Sequence, residues 1–272
     1  MSKLYVDLKP LLLTGANGGA KQFILNLVDG LAKKAKGFEV ICLCRNTTEK
    51  ELIAILNKKN IDVRSVSRYA NYIIGNRTND IFFTPFGSTD IKNNRLRRLS
   101  ICYDFLHDEY PIFFTRSELR QRQRNMHEIS NNANKIICIS KFTRDQALKK
   151  GFNANKLKVI PIAFKQTQIR HQNSKNIKDE EKRFLLYPAN YWRHKNHEML
   201  LAAIKLATYE MKPNGPKVIC TGYANERRAM ELKQLIKALG IEYLVTMEGY
   251  VSNNKMEELY EECTGIIFPS LY

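Results

Sequence analysis

Strand-like and helix-like segments alternate along almost the whole chain, and this alternation restricts its fold more than any other feature. Short apolar runs such as 38–44 (FEVICLC) and 135–140 (KIICIS) are typical of buried strands. Segments with apolar residues at i, i+3 and i+4, the spacing of an amphipathic helix, lie between them, and one extends from Ala20 to Gly37. This order predicts an α/β protein whose parallel sheets carry helices on both faces.

Residue types also mark where several elements end. Ser140 is placed to cap a helix over 142–149, and Gly240 follows a helix as its C-terminal cap. The pattern predicts a strand over 100–106 (SICYDFL) that continues into a loop, and a last strand over 265–270 (GIIFPS).

The alternation is interrupted once, which predicts two Rossmann-like domains. Residues 164–182 are polar and charged with almost no apolar period, which is typical of a linker. The domains are then 1–163 and 183–272. Because the second one stops on an apolar strand, its sheet would keep a poorly covered face, and we expect this domain to be incomplete.

Composition predicts a cytoplasmic protein. No run approaches the roughly 20 apolar residues that span a bilayer, and the first residues, 1–9, lack the apolar core of a signal peptide. The six cysteines form no CxxC pair, and Cys42, Cys44, Cys138 and Cys220 lie in apolar runs. We expect them to be reduced.

The net charge of +17 favours anionic partners, which include nucleic acids, phosphorylated metabolites and acidic membranes. Most basic residues are scattered, as on an ordinary solvated surface, apart from the clusters at 95–98 and 120–124. A nucleic-acid-binding protein is disfavoured because no basic stripe with interleaved aromatic residues is present.

A glycine-rich turn at 15–20 (GANGGA) joins a strand to a long helix. Glycine lets the backbone come close to a ligand, and free N–H groups at a helix start attract phosphate oxygens. This turn is therefore a candidate phosphate site. A tight strand-to-helix turn without a ligand is the alternative.

A second candidate segment, 188–197 (PANYWRHKNH), follows the first strand of the second domain and leads into a helix. A lysine beside a helix N-terminus can hold a diphosphate, because the cation and the backbone dipole act together there. His194 and His197 lie three residues apart, but no third ligand is near, so we expect no metal.

A third candidate segment, 103–111 (YDFLHDEYP), has three carboxylates and a histidine at the carboxyl end of a strand. These groups could position sugar hydroxyls or exchange a proton. Solvated surface charge is the alternative.

Seven segments, in this order, resemble motifs of the group 1 glycosyltransferases (glycosyltransferase family 4): GxxGGA, YDFLHDEYP, KIICISKFTRD, PANYWRHKNHEMLL, ICTGY, MEGYVSNNKMEELYEEC and IIFPSLY. The resemblance implies the GT-B fold, with an acceptor-side domain over 1–163 and a nucleotide-sugar domain over 183–272. It implies transfer of a sugar from a nucleotide-sugar donor with retention of configuration and without a metal or other cofactor.

The resemblance also implies roles for particular residues. The glycine loop would lie over the donor phosphates and the acceptor, and Lys195 would bind the diphosphate. The implied catalytic residues are Asp104 and His107. The implied substrate-binding residues are Gly18, Gly19, Tyr103, Asn190, Arg193, Lys195, Asn196, Gly222 and Ser270.

This chain departs from the family pattern in three places. Asn190 stands where many members have arginine, and Tyr103 stands where many have the histidine of a His-Asp pair. In the family, the pattern after FPSLY continues with E-G-F-G and a later glutamate, whereas this chain ends at Tyr272. We therefore expect the 272-residue form to transfer sugar poorly or not at all.

The expected partners are a nucleotide-sugar donor, a saccharide or lipid-linked acceptor of the polysaccharide or lipopolysaccharide kind, and an acidic membrane contacted at its inner face. No nucleic acid is expected. The alternative is a non-catalytic remnant of the family, a pseudoenzyme that binds a nucleotide or a partner protein.

Overall fold

The computed structural model describes residues 1–12, 17, 19–56, 61–66, 79–91, 96–163, 183–211 and 215–272. The chain forms two compact units, Met1–Gln166 and Thr167–Tyr272, and each has its own parallel sheet. The predicted α/β class with two Rossmann-like domains is confirmed. The predicted linker, 164–182, lies outside the described residues.

The first unit is built on a seven-stranded parallel sheet in the order β3-β2-β1-β4-β5-β6-β7. Its strands are β1 (Ser2–Asp7), β2 (Phe38–Cys44), β3 (Ile61–Ser65), β4 (Ile81–Thr84), β5 (Arg97–Cys102), β6 (Lys135–Cys138) and β7 (Leu157–Val159). Its described helices are α1 (Gly19–Lys34), α2 (Glu49–Leu56), α3 (Leu106–Glu109), α4 (Arg116–Asn132) and α5 (Lys141–Lys149). The strand order changes direction between β1 and β4, which is where open α/β sheets usually bind ligands.

The central strands of this sheet are buried on both faces, as their continuous apolar sequences predict. In α1, the apolar stripe places Ile24 and Val28 in the same core as Val6 and Cys42, and all four side chains are fully buried. The opposite face of α1 is polar, so the helix covers the sheet without exposing an apolar surface.

One buried ion pair ties β4, β5 and α4 together. The guanidinium of Arg98, on β5, is paired with the carboxylate of Glu128, on α4. The same guanidinium donates to the Gly87 carbonyl at 3.2 Å. This pair fixes the base of α4 against the sheet, because breaking it would leave a charge buried without a partner.

The second unit has a four-stranded parallel sheet in the order β10-β9-β8-β11. Its strands are β8 (Leu185–Pro188), β9 (Val218–Thr221), β10 (Val245–Gly249) and β11 (Gly265–Ile266). Its described helices are α6 (His197–Glu210), α7 (Glu226–Leu239) and α8 (Asn253–Glu262). The core of the unit includes Tyr187, Leu201, Cys220, Leu232 and Ile241.

The predicted helix caps are confirmed. The Ser140 hydroxyl accepts from the Thr143 N–H at 3.0 Å at the start of α5. Gly240 ends α7 in the left-handed region with φ 62°, and its N–H donates to carbonyls of the last helical turn. Both positions match their residue types because a side-chain oxygen caps a helix start and glycine tolerates positive φ.

Several predicted strands are shorter in the structure than in the sequence pattern. β5 stops at Cys102, although the apolar run continues, and 106–109 form the short helix α3. The Asp104 carboxylate accepts from the Leu106 N–H at 3.0 Å, which turns the chain out of the sheet. The last strand spans only 265–266, although the Ile267 N–H still donates to the Leu186 carbonyl at 2.9 Å.

The cysteines of the described chain are free thiols, and five of the six are buried. Burial raises the pKa of Cys42 and that of Cys220 to about 12, so these thiols stay protonated at neutral pH. No described helix is both long and apolar enough to cross a membrane.

Candidate functional site

In the second unit, the loops that follow β8, β9, β10 and β11 all leave the same, carboxyl edge of the parallel sheet. The N-terminal ends of α6, α7 and α8 point to this edge, because each helix follows its strand through one of those loops. The predicted segment 188–197 forms the loop after β8.

Tyr191 fastens three of these loops together. Its side chain is 2% exposed, and its hydroxyl donates to the Cys220 carbonyl at 3.0 Å. The same hydroxyl accepts from the Gly249 N–H at 3.2 Å, and the Tyr191 N–H donates to the Tyr223 carbonyl at 2.9 Å. Burial raises the pKa of the Tyr191 phenol, so this hydroxyl is a structural group and not an acid near neutral pH.

Gly222, a predicted substrate-binding residue, lies where two backbones meet. Its φ is +140°, and a Cβ built there would be 2.3 Å from the Ala189 carbonyl oxygen. Its own N–H donates to the Gly249 carbonyl at 2.7 Å. Asn190 supports the same contact, since its side-chain oxygen accepts from the Tyr223 N–H at 2.9 Å.

The turn 193–196, which contains Arg193, Lys195 and Asn196, precedes α6. Asn196 has φ 58° and ψ 45°, the left-handed conformation that asparagine tolerates better than most residues. Its side-chain amide donates to the Pro269 carbonyl at 3.2 Å.

The last residues of the chain also form hydrogen bonds with this turn. The Leu271 N–H donates to the His194 carbonyl at 2.9 Å, and the Tyr187 hydroxyl donates to the Lys195 carbonyl. The buried Ser270 hydroxyl lies in the same contact, beside the Tyr187 phenol. The turn is therefore fixed on both sides at the start of α6.

Cations and carboxylates both lie at this edge, since Glu198 is in the first turn of α6. Arg193 is exposed and its guanidinium pairs with the Glu231 carboxylate at 3.1 Å. Arg193, Lys195 and the free N–H groups of the first turn of α6 all place positive charge on the same loop. This arrangement suits an anionic ligand such as a diphosphate.

Arg228, which organises the base of the site, could not be identified from the sequence. It lies in α7 and is 8% exposed; its Nε donates to the Tyr191 carbonyl at 2.9 Å. Its Nη1 lies 2.7 Å from the Glu198 carboxylate, on α6. A charged pair in a polar stretch of sequence is indistinguishable from solvated surface charge until the two helices are packed.

In the first unit, the predicted Tyr103 has a structural role. Its hydroxyl donates to the Pro85 carbonyl at 2.9 Å, its carbonyl accepts from the Thr143 hydroxyl at 3.0 Å, and its ring packs edge-on against Phe23. Burial raises the pKa of the phenol. Asp104 is half-buried at the carboxyl end of β5, where it accepts from the Leu106 N–H.

His107, the other predicted catalytic residue, is buried with 2% exposure. Neither ring nitrogen has a hydrogen-bond partner in the described part of the chain, and Nε2 is 3.7 Å from the Asp108 carboxylate. Burial lowers the pKa of His107, although Asp108 opposes this effect. The imidazole is therefore neutral near pH 7.

The glycine-rich turn is described only in part. Gly18 lies outside the described residues. Gly19 is the first residue of α1 and is exposed, and a Cβ built there would have no atom within 4 Å. Gly19 is therefore not required there for close packing against the described chain.

A cleft of about 640 Å³ opens at the carboxyl edge of the first sheet, beside the change of strand order. It is lined by Asp7, Lys9, Arg45, Thr89 and Asp90, among others. Asp7 is 2% exposed and accepts from the Thr89 hydroxyl at 2.5 Å, and Lys9 pairs with Asp90. The sequence did not mark these residues, because they come from loops far apart in the chain.

Metal binding was tested on the donor groups of the described residues. No group of three histidine, cysteine, aspartate or glutamate side chains lies close enough there to hold a metal ion. His194 and His197 are therefore not part of such a group.

Residues 168–272 match the sequence profile of the family described as glycosyl transferases group 1. The C-terminal unit is a group 1 glycosyl transferase domain. This match confirms the predicted family resemblance for the C-terminal unit. A search of curated protein sequences found no match.

Solved structures similar to this chain have the same fold at low sequence identity. Anabaena HepE, solved with UDP and glucose, is 14% identical with a TM-score of 0.66, and the match covers 99% of this chain and 74% of HepE. The lipopolysaccharide outer core galactosyltransferase WaaB is 14% identical, with a TM-score of 0.61 and coverages of 99% and 74%. Sucrose-phosphate synthase from Thermosynechococcus elongatus is 15% identical, with a TM-score of 0.63 and coverages of 100% and 76%.

These similarities confirm the predicted GT-B fold class. About three quarters of each of these relatives aligns with the 272 residues, and the remainder of each relative has no counterpart among them.

Within the glycosyl transferase domain, His197 is the first residue of α6 and is buried between two tyrosine rings. Its ring centroid is 4.6 Å from that of Tyr187 and 4.9 Å from that of Tyr191. Burial, reinforced by Arg228, lowers the pKa of His197 to about 4. His197 is therefore neutral at the start of α6, where its ring packs between the rings of Tyr187, on β8, and Tyr191, in the loop.

We predict that Gly222→Ala destabilises the glycosyl transferase domain by about 3 kcal/mol, because the methyl group overlaps the Ala189 carbonyl and φ is positive. Gly240→Ala is the matched control, since Gly240 also has positive φ but its Cβ would contact nothing. Urea denaturation should give about 1 kcal/mol for the control. Equal losses for the two variants would contradict the close contact.

We predict that the free energy of unfolding falls by about 2 kcal/mol between pH 7.5 and pH 5 because of His197. The pKa of His197 is about 4 when folded and near its ordinary 6.5 when unfolded, so the unfolded chain binds more protons in that range. Stability is therefore lost as the pH falls below 6.5. Chemical denaturation across this range measures the slope.

His197→Gln should remove this part of the pH dependence, whatever its effect on stability at pH 7.5. His127→Gln, which changes an exposed histidine of α4, should leave the slope as it is in the unmodified chain. If the His197 variant keeps the full slope, the buried neutral histidine is not its cause.

Proposed function

We propose that this protein is a retaining glycosyltransferase that moves a sugar from a nucleotide-sugar donor to an acceptor of the polysaccharide or lipopolysaccharide kind. The observation that carries the proposal is the fixed cationic turn 193–196 at the start of α6, within the segment that matches the glycosyl transferases group 1 profile. The donor diphosphate would bind at this turn.

The chemistry of the turn supports this placement. A departing nucleoside diphosphate develops negative charge, and Arg193, Lys195 and the α6 N-terminus place positive charge where the leaving group would lie. His197 adds no charge because it is neutral. The diphosphate can be neutralised by these groups, so the proposal requires no metal or other cofactor.

The relatives support a uridine nucleotide as the donor carrier. HepE from Anabaena has been solved with UDP, with UDP and glucose, and with UDP-glucose. WaaB is a lipopolysaccharide outer core galactosyltransferase, which supports a saccharide acceptor of that kind. Because identities are 14–15%, the sugar and the acceptor remain proposals for this chain.

We place the acceptor in the first unit, at the cleft beside β1 and β4. Its lining combines a buried carboxylate, Asp7, with the Thr89 hydroxyl and the cations Lys9 and Arg45. Such groups bind sugar hydroxyls and anionic substituents. The Arg45 side chain is exposed and has no hydrogen bond or ion pair among the described residues, so it is available to a ligand.

Asp104 and His107 remain the proposed catalytic residues. Both follow β5 at the carboxyl edge of the first sheet, and the neutral imidazole of His107 has lone-pair capacity to accept a proton. The burial of His107 requires that the 103–109 loop opens before the ring meets a substrate. Asp104, half-buried, needs no such movement.

The hydrogen bond of the Tyr103 hydroxyl favours a second candidate function, that of a pseudoenzyme that binds a nucleotide without transferring sugar. This hydroxyl is engaged with the Pro85 carbonyl, so it does not replace the imidazole that many family members have at this position. In either case we propose a cytoplasmic protein at the inner face of an acidic membrane, because its net charge is +17.

We predict that Lys195→Ala weakens UDP binding about tenfold or more, because one charge-assisted contact to the diphosphate is lost. Isothermal titration of the 272-residue chain with UDP measures the change. Lys233→Ala, on the exposed face of α7, removes the same charge from the same unit and should change the affinity less than about twofold. Equal effects would place the diphosphate elsewhere.

We predict that Arg45→Ala weakens binding of a lipopolysaccharide-core oligosaccharide about tenfold while UDP affinity is unchanged, because the two sites lie on different units. Isothermal titration measures both affinities. A radiolabelled UDP-sugar assay measures transfer, and proton NMR of the product gives its anomeric configuration. Inversion would exclude the retaining mechanism. The expected poor transfer by the 272-residue form stays a prediction, and this assay measures it.

A further inference from the structure

The N-terminal half of α4 has a charge pattern that disfavours the helix itself. Four arginines lie within its first nine residues, at 116, 120, 122 and 124. Arg116 and Arg120, and Arg120 and Arg124, are like-charge pairs at i, i+4, which destabilise a helix. Arg116 also lies at the helix start, where a cation opposes the helix dipole. Stability of the helix therefore does not explain Arg116 and Arg120.

The carboxylates of α4 leave most of these arginines without an ion pair, although Glu118 interacts electrostatically with Arg122. Glu118 is engaged in the capping box with Thr115, and Glu128 is paired with the buried Arg98. No ion pair of the four arginines is found in the described part of the chain. All four side chains belong to exposed residues.

An apolar turn lies directly before these arginines. Ile112 is 84% exposed, and it lies in the single 3₁₀ turn Pro111–Phe113. The Tyr110 ring stabilises the turn, because it stacks on the Phe113 ring with centroids 5.6 Å apart. The Arg122 guanidinium lies 4.4 Å above the Phe114 ring, which joins the turn to the helix.

We propose that the surface formed by residues 110–124 docks the protein on an anionic phospholipid membrane. Ile112 would enter the boundary between headgroups and acyl chains, and the arginines would contact lipid phosphates. A membrane fits both halves of the surface: its charge complements the arginines, and its interior accepts an exposed aliphatic side chain. This proposal names the surface that makes the peripheral contact proposed above, and it is independent of the donor site.

Nucleic acid is the competing polyanion, and the composition of the turn argues against it. Bases stack on exposed aromatic rings, whereas here the rings of Phe113 and Phe114 are partly buried and stacked within the protein. The most exposed residue of the turn is the aliphatic Ile112, which offers a base no stacking face.

The test is co-sedimentation of the 272-residue chain with vesicles of phosphatidylcholine mixed with phosphatidylglycerol, and with vesicles of phosphatidylcholine alone. We expect binding to the anionic vesicles and little to the neutral ones. The double variant Arg116→Gln/Arg120→Gln should lower the partition coefficient about tenfold or more. Lys233→Gln/Lys237→Gln changes the net charge equally on exposed positions of α7 and should lower it less than about twofold.

Ile112→Ser should lower the partition coefficient about tenfold, since an isoleucine no longer enters the membrane. Met199→Ser, at a residue that is 60% exposed on α6, is its control and should have no effect. All four variants change exposed side chains, and unchanged thermal unfolding confirms their folding. Unchanged UDP affinity separates this surface from the donor site.

Three results would overturn the proposal. The first is equal binding to neutral and anionic vesicles. The second is an equal loss in the lysine control, which would indicate general charge attraction. The third is a loss in the arginine variant with none in Ile112→Ser, together with salt-dependent RNA binding, which would assign the surface to a nucleic acid.

Discussion

The close contact between Gly222 and the Ala189–Asn190 backbone is the constraint on which the candidate donor site depends. It allows the loop after β9 to lie against the loop after β8, so that Tyr191 can bind both loops and the Gly249 N–H of the next one. The turn 193–196 follows directly and receives its position from this contact. Any side chain at Gly222 would separate the two loops, and the cationic turn would move with them.

Electrostatic contacts beneath the loops also hold them in position. Arg228 is buried between α6 and α7, where it binds the Tyr191 carbonyl and the Glu198 carboxylate. His197 lies beside it as a neutral ring between Tyr187 and Tyr191. The buried charge is paired, and the positive charge at the loop surface comes from Lys195, from the start of α6 and from Arg193, which also pairs with Glu231. This separation suits a site that must attract an anion without an unpaired charge in its core.

Arginines have two different roles in the first unit. At β5, Arg98 is buried and paired with Glu128, and it fixes α4 to the sheet. In the other half of α4, the arginines project into solvent at a cost to the helix. The same residue type is structural where a carboxylate meets it in the interior, and is available to an external anion where none does. Sequence alone does not distinguish these cases, because Arg97 and Arg98 are neighbours and only Arg98 is buried.

The α/β class, the alternation of elements and the helix caps at Ser140 and Gly240 could be predicted from the sequence, because these depend on periodicity and on backbone preferences of single residues. The sequence also located the segments around 103–111 and 188–197. The tertiary structure alone decided what the side chains in them do. It assigned Tyr103 to a backbone contact, buried His107 and His197, and placed Gly222 against Ala189. These outcomes depend on contacts between loops that are distant in the chain. Local sequence does not predict which loops a parallel sheet brings to one edge.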